Sequence, residues 1–343
     1  KLDLLAFMEE PVTVHVHDTT DPTAVPIPPV WNDGRSQFFL RGQDQVVKSL
    51  QIAISAAKSR SLPLEHILLY GPPGLGKTSL AHIVSTQMGA NLKIISGPAL
   101  SRTGDLASIL TGMELGDILF IDEVHRLNKS VEESLYSAME DFGLDMILGK
   151  GPSARTVRLD LNRFTIIGAT TKVGMLSKPL RDRFGISHHL NPYDEISLEK
   201  IIIEGCRKLG HPIDHASATE IAKRSRGTPR IALKLLRRVI DYCLVEHSSA
   251  PNLDLTQKSL DFYEVDEFGL DDLDRKLLLA IIEKHAGGPV GLETLAAITS
   301  EDIRTIEEVN EPFLMQSGFL SRTPRGRMVT PKAYTHLHLT PVK

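Results

Sequence analysis

Long hydrophobic runs are missing from this chain. No apolar stretch in its 343 residues approaches membrane-spanning length, so a transmembrane helix is excluded. Cysteine is scarce: Cys206 and Cys243 do not make a disulfide framework and read as core thiols in a reducing, cytoplasmic compartment. An excess of positive charge is missing too. The net charge is −4, so any nucleic-acid site has to be a local patch. No internal repeat of useful period is present. The opening Lys1-Leu-Asp-Leu-Leu-Ala-Phe is too short and too soon acidic for a signal peptide. It lacks an initiator Met, so the true N-terminus is expected to lie upstream.

What is present divides into two or three domains by length. Residues 1–41 stand apart. Val12, Val14 and Val16 alternate with Thr13, His15 and His17 as in one strand, and Asp21 to Pro29 is a proline-rich linker. His15 and His17 share a face of that strand, which reads as a solvated face before it reads as a metal site.

The stretch His66 to Met88 organises the rest. Ile67 to Tyr70 suits a buried parallel strand. Gly71-Pro-Pro-Gly-Leu-Gly-Lys77-Thr78 fits G-x-x-x-x-G-K-[ST]; Leu80, Ile83, Val84 and Met88 then recur at helical spacing, with Gly89 placed to end the helix. Phosphates crowd a backbone, so Gly74 and Gly76 remove side chains and let N–H groups point inward. The helix N-terminus adds a positive dipole end. Lys77 supplies a point charge to the phosphates, and the Thr78 hydroxyl can ligate Mg²⁺.

Ahead of this unit, Val46, Leu50, Ile54 and Ala57 predict a helix within Gln43 to Leu62. After it, Asp117-Ile-Leu-Phe-Ile-Asp122-Glu123 is an apolar strand ending in two carboxylates, a Walker B arrangement. Asp122 can hold the Mg²⁺ shell and Glu123 can polarise the attacking water. Asn128 to Asp141 predicts a helix with Val131, Leu135, Ala138 and Met139 inward. Phe164 to Thr171 is another buried strand, whose end offers Thr170 or Thr171 to sense a γ-phosphate or merely forms a turn. Leu144 to Leu148 and Val157 to Leu161 flank Gly149-Lys-Gly-Pro152 as a hairpin. Its apolar first arm either packs on the body or docks another protein. In Pro179-Leu-Arg181-Asp-Arg183-Phe-Gly, the arginines either make surface ion pairs or, in a ring ATPase, reach a neighbour's γ-phosphate.

Asp194 to about Val265 reads as all helix. Pro229 suits the first helical position, which puts Arg230 in a first turn, against the dipole preference. Arg230 is there either for an anionic ligand or for a surface carboxylate. The last segment gives a helix through Leu277 and Ile281, short helices around Leu292 to Ala297 and Ile303 to Met315, then strand, basic turn, strand over Phe319 to Thr330. Three helices and a basic two-stranded wing describe a winged helix whose tip meets phosphates.

With these residues in view, the chain resembles the RuvB family, bacterial motors of Holliday-junction branch migration. The likeness runs from roughly Gly42 to the C-terminus and rests on GPPGLGKTSLA, LFIDEVHRL, EDFGLD with GPSAR, IGATT, PLRDRFG, RGTPRIA and RTPRGRM. It implies an α/β P-loop AAA+ large domain over 42–190, a parallel sheet with helices on both faces and a hairpin at about 143–161. It further implies an all-helical small domain over 191–266 and a winged-helix domain over 267–343, with 1–41 a divergent, poorly ordered segment.

Functionally the resemblance implies an ATP hydrolase, using ATP and Mg²⁺, coupled to DNA translocation. It implies a homohexameric ring on the duplex arms of Holliday junctions, a RuvA-like partner, a role in recombination and repair, and no membrane. Lys77 and Thr78 look like the Walker A pair, Asp122 and Glu123 the Walker B pair, and Thr170 or Thr171 sensor 1. Arg183 looks like a trans-acting arginine finger, with Arg181 holding the loop locally, and Arg230 like sensor 2. Gly74, Leu75, Gly76, Ser79, Glu140, Asp141, Phe142 and Tyr193 are expected at the nucleotide. Met146, Ile147 and Leu148 look like a RuvA-docking finger, and Arg322, Arg325 and Arg327 like DNA contacts. The chain departs from the family just before Gly42-Gln43. There a Leu-Arg-Pro stretch usually closes over the adenine, and here Trp31 to Arg41 does not match. The alternative reading is a non-motor, clamp-loader-like or protein-remodelling AAA+ switch.

Overall fold

The computed structural model describes residues 42–148, 155–247 and 249–340. The expectations for residues 1–41, His15 and His17 included, and for the turn Gly149 to Ala154 lie outside the described residues.

The first domain is built on a five-stranded parallel sheet. In chain order its strands are β1 (Ile67–Tyr70), β2 (Leu92–Ser96), β3 (Ile118–Asp122), β6 (Thr165–Thr170) and β7 (Ile186–His189), and in space they run β2-β3-β6-β1-β7. The apolar runs of the central strands are explained by burial on both faces. Ile67 and Leu69 of β1, Ile118 and Phe120 of β3 and Ile167 and Ala169 of β6 join one core. Their alternates Leu68, Leu119, Ile121 and Ile166 join the other. The first core takes α1 (Asp44–Ser59) and α2 (Lys77–Met88); the second takes α3 (Thr103–Thr111) and α4 (Lys129–Asp141). α1 presents Val46, Leu50, Ile54 and Ala57 inward, the face its periodicity predicts. Gly89 ends α2 in the left-handed conformation, φ 68°.

β4 (Gly143–Leu148) and β5 (Arg155–Asp160) form the expected antiparallel hairpin, with Met146 opposite Val157. Leu144 is buried and Met146 is half-buried against the second core, so the base of this hairpin packs on the body.

The helical domain consists of α6 (Glu195–Lys208), α7 (His215–Lys223), α8 (Pro229–His247) and α9 (Leu253–Phe262). Its apolar faces, with Leu198, Ile202, Leu235 and Val239, continue the first core without a break. One buried layer therefore underlies both the P-loop helix and this lid.

A third core belongs to the C-terminal domain. α10 (Asp272–His285) and α11 (Leu292–Thr299) are followed by α12 (Ile303–Thr305), a π-helical stretch Ile306–Asn310, and α13 (Glu311–Gln316). β8 (Leu320–Thr323) and β9 (Gly326–Val329) then make an antiparallel wing around Phe319, and α14 (Pro331–His336) closes the domain.

Candidate nucleotide site and DNA-facing wing

The P-loop leaves β1 at the C-terminal edge of the sheet. Gly71 N–H donates to the Thr170 carbonyl at 3.2 Å, which fastens the loop to the end of β6. Gly74 and Gly76 take φ of 80° and 96°, a region that a Cβ makes costly. A Cβ on Gly74 would also stand 2.7 Å from Thr228 Cγ2 of the lid. Lys77 is buried, and its Nζ donates to the carbonyls of Gly71 and Pro72 at 2.8 and 2.9 Å. Burial pushes this ammonium down to about 8, against the pull of Asp122. Its hydrogen-bond partners are two neutral carbonyls, and a polyphosphate is an anion that fits such a cradle.

Thr78 and Ser79 open α2; Thr78 is exposed at the rim. Asp122 ends β3, and its Oδ1 accepts the Glu123 N–H at 2.9 Å. A hydroxyl and a carboxylate are hard oxygen donors of the kind Mg²⁺ accepts. Glu123 sits at φ 50°, and its carboxylate is tied to Arg126 Nη1 at 2.9 Å.

The end of β6 separates the two threonines. Thr170 is buried, accepts the Lys172 N–H at 2.9 Å and lies 2.9 Å from His125 Nδ1. Thr171 is exposed beyond the strand. Lys172 reaches Glu308 of the C-terminal domain at 2.7 Å.

The lid meets the P-loop through contacts to the loop's carbonyls. Arg230 N–H donates to the Gly74 carbonyl at 3.4 Å, which sets the first turn of α8 and the exposed Arg230 side chain beside the loop. Tyr193 donates its hydroxyl to the Leu75 carbonyl at 3.2 Å and its N–H to the Gly227 carbonyl at 2.8 Å. Burial pushes its phenol up. Gly42 packs against Tyr193 and Ser197, and Gln43 Nε2 donates to the Asn191 carbonyl at 2.6 Å. Of this seam, the sequence assigns Tyr193 to the nucleotide but gives no role to Gln43, Asn191 or Ser197. Its signal is Gly42-Gln43, where the family motifs begin.

Several expected residues stand elsewhere than on the rim of the cradle. Leu75 belongs to the loop with its side chain buried in the core, so a contact to a ligand would come from its backbone. Glu140, Asp141 and Phe142 do not join the chain's own P-loop. α4 carries them to the opposite end of β1, where His66 bonds the Met139 carbonyl and stands 6.3 Å from the Phe142 ring. Arg183 is at this end too, with Nη2 donating to Glu140 Oε2 at 2.9 Å, Nη1 to the Pro179 carbonyl at 2.8 Å, and the guanidinium 4.4 Å above the Tyr136 ring. It is Arg183, not Arg181, that is held locally; Arg181 is exposed and makes no ion pair among the described residues.

The wing needs a correction. Arg327 turns inward and pairs with Glu311 at 2.7 Å, the two side chains 11% and 5% exposed. A desolvated ion pair of this kind is not offered to DNA. Arg325 is exposed at the tip, and Arg322 is 58% exposed with Nη1 3.7 Å from Glu311. Of the hairpin residues, Met146 is half-buried, and the side chains of Ile147 and Leu148 lie outside the described residues.

Comparison with known proteins agrees with this geometry across its length. Residues 35–190 match the model of the Holliday junction DNA helicase RuvB P-loop domain, residues 193–266 the RuvB AAA lid domain, and residues 267–338 the RuvB C-terminal winged helix domain. The match starts ahead of Gly42, so the family likeness reaches further than the motifs alone. The chain is 57% identical over 304 residues to the Holliday junction branch migration complex subunit RuvB of Chloroflexus aurantiacus, covering 89% of this chain and 86% of that one. It is 55% identical over 302 residues to that of Fusobacterium nucleatum, covering 88% and 91%. The solved Thermotoga maritima RuvB Holliday junction branch migration motor superposes with a TM-score of 0.78 at 49% identity, covering 88% of this chain and 99% of that one. A P-loop ATPase, its lid and a winged helix joined in this order and matched along their lengths place the chain in the RuvB family of Holliday junction branch migration ATPases.

Proposed function

We infer that this protein is an ATP-driven DNA motor that migrates Holliday junctions in recombination and repair together with a RuvA-like partner. The observation that carries this reading is the union, on one chain, of a phosphate cradle with a desolvated Lys77 and a wing with Arg325 exposed at its tip. The non-motor alternative, clamp-loader-like or protein-remodelling, is not favoured, because the likeness to RuvB motors runs along the chain and includes the winged helix.

The catalytic assignments follow from position. Lys77 and the N–H groups of the P-loop bind the phosphates, Thr78 and Asp122 hold Mg²⁺, and Glu123 takes the proton of the attacking water after leaving Arg126. Mg²⁺, when bound, neutralises charge that develops on the phosphoryl oxygens. Thr170, Arg230 and Tyr193 border the same cradle. Arg183, with Glu140, Asp141 and Phe142, sits at the far end of the sheet and acts on a nucleotide held by the next subunit of a homohexameric ring. The hairpin beyond Met146, with Ile147 and Leu148, docks the RuvA-like partner. The cytoplasm is the compartment for this work.

The test is ATP hydrolysis with and without duplex or four-way junction DNA. DNA should stimulate hydrolysis, Glu123→Gln should bind ATP without turning it over, and Lys77→Ala should lose tight binding. Hydrolysis indifferent to DNA would favour the non-motor reading. Wild-type turnover by Glu123→Gln would overturn the base assignment.

A further inference from the structure

Arg183 ends α5 (Lys178–Asp182), and a long side chain at such a place has rotamer freedom to lose before it can act. The structure removes that freedom from one side. Tyr136 and Glu140 lie one helical turn apart on α4 and both face Arg183. The Tyr136 ring carries the guanidinium on its face at 4.4 Å, and Glu140 takes Nη2 at 2.9 Å. The platform is itself fixed. Tyr136 donates its hydroxyl to Glu132 at 2.5 Å and lies 2.9 Å from Ser177 Oγ. Ser177 caps α5, accepting the Leu180 N–H at 3.2 Å, and also bonds Glu132. Glu132, Tyr136 and Ser177 thus pin the helix that bears the arginine to the helix that bears its cradle.

The grip is also incomplete. Arg183 Nε is buried without a hydrogen-bond partner among the described residues. Each terminal nitrogen uses one of its two N–H groups, so one on each remains to be offered. A guanidinium held by its π-face and one edge can offer the others to a phosphate without first being released.

We propose that Tyr136 is the positioning residue for Arg183, a preset platform that aims the guanidinium at the γ-phosphate of the neighbouring subunit. The proposal rests on the trans role of Arg183 given above. A short 3-10 turn, Val124–Arg126, joins Glu123 to the start of α4, so one stretch of chain runs from a subunit's own hydrolytic carboxylate to the platform of the arginine it lends.

The experiment uses the full chain assembled on duplex DNA. Arg183→Ala should cut kcat. Tyr136→Leu should lower kcat roughly ten- to a hundredfold with little change in KM for ATP, the scale of loss when a catalytic group is misplaced. Tyr136→Phe, which keeps the ring face, should recover most of that loss. Tyr136→Leu should add nothing in the Arg183→Ala background. In rings mixed with Lys77→Ala subunits, Tyr136→Leu subunits should regain turnover, because their ATP sites now face an intact platform. A general folding defect would not be rescued in this way. Loss in Arg183→Ala but wild-type kcat in Tyr136→Leu, or additive losses, would overturn the platform. Full activity in Arg183→Ala would instead sink the trans reading beneath it.

Discussion

Arg226 of the lid donates to Asp274 of the winged-helix domain across 2.6 Å, and Asp274 is wholly buried. The same guanidinium reaches Asp271 at 2.9 Å, gives its Nε–H to the Gly269 carbonyl at 2.8 Å and covers the Phe313 ring at 4.3 Å. Asn310 completes the shell of Asp274 at 2.8 Å. Next to Asn310 stands Glu311, which holds Arg327 of the wing. Arg226 lies in the loop just before α8, whose first turn sets Arg230 beside the P-loop. A short chain of buried polar contacts, Arg226 to Asp274 to Asn310, therefore ties the lid to the winged-helix domain.

Breaking this chain at Arg226 should be costly. Burial pushes the Asp274 carboxyl up to about 6, against the pull of Arg226. Arg226→Met leaves that carboxylate desolvated and uncompensated, a loss of roughly 3–5 kcal/mol for a buried pair broken from one side. The thermal midpoint of the C-terminal domain should drop. Adding Asp274→Leu should restore much of it, since an apolar pair needs no counter-charge. A single variant as stable as wild type would show that the pair does not join the domains.

Two arginines of the wing should behave oppositely. Arg327→Ala strands Glu311 and should lower stability. Arg325→Ala should leave stability unchanged, weaken DNA binding alike across sequences, and flatten the log–log salt dependence by about one unit. A sequence-selective loss on Arg325→Ala would point to base readout instead.

The contrast between these arginines marks where sequence reading stops. The P-loop, the Walker B strand and the lid were legible because their chemistry is local: residue types at fixed spacing do the work. The winged helix was legible because three helical faces precede a basic turn. Arg327 was not, since its partner Glu311 comes from another element and only packing brings them together. Glu140 and Phe142 show the same limit: the motif gives their neighbourhood in sequence, while the direction of α4 decides which end of the sheet they reach. The strand order β2-β3-β6-β1-β7 is likewise a product of crossovers that no single segment encodes.

His66 makes the fold sensitive to acid. Its Nδ1 accepts the Ile166 N–H at 2.9 Å, so its Nε2–H donates to the Met139 carbonyl at 3.1 Å. Both nitrogens are committed to the neutral ring, and burial lowers the pKa below 6.5. A lowered pKa means that the unfolded chain binds the proton more readily. The stabilisation is therefore complete above about pH 6.5 and is lost as pH falls through the folded value. The thermal midpoint should decline in that window, and His66→Gln should flatten the decline while lowering the midpoint at neutral pH. An unchanged slope would place the acid sensitivity elsewhere.

Thr170 and Thr171 can be told apart by what their hydroxyls are already doing. A hydroxyl has a single proton to give. Thr170 Oγ1 already accepts from the Lys172 N–H, so that contact leaves its proton free. His125 then decides where the proton goes. Burial lowers the pKa of His125, so its ring is neutral near pH 7, and the tautomer sets the direction of the 2.9 Å contact. With the proton on Nδ1, His125 donates, and the Thr170 proton is available for a γ-phosphate oxygen. With the proton on Nε2, Thr170 donates to His125 and has nothing to give. Phosphate sensing by Thr170 therefore requires the Nδ1–H form. Thr170→Val should sharply reduce the preference for ATP over ADP and lower kcat, and Thr171→Val, at an exposed site, should do so far less. His125→Phe should weaken the preference as well, because it removes the group that orients the hydroxyl. If Thr171→Val proved the more damaging change, the sensor would be Thr171 and the contact between Thr170 and His125 would serve only to close the strand end.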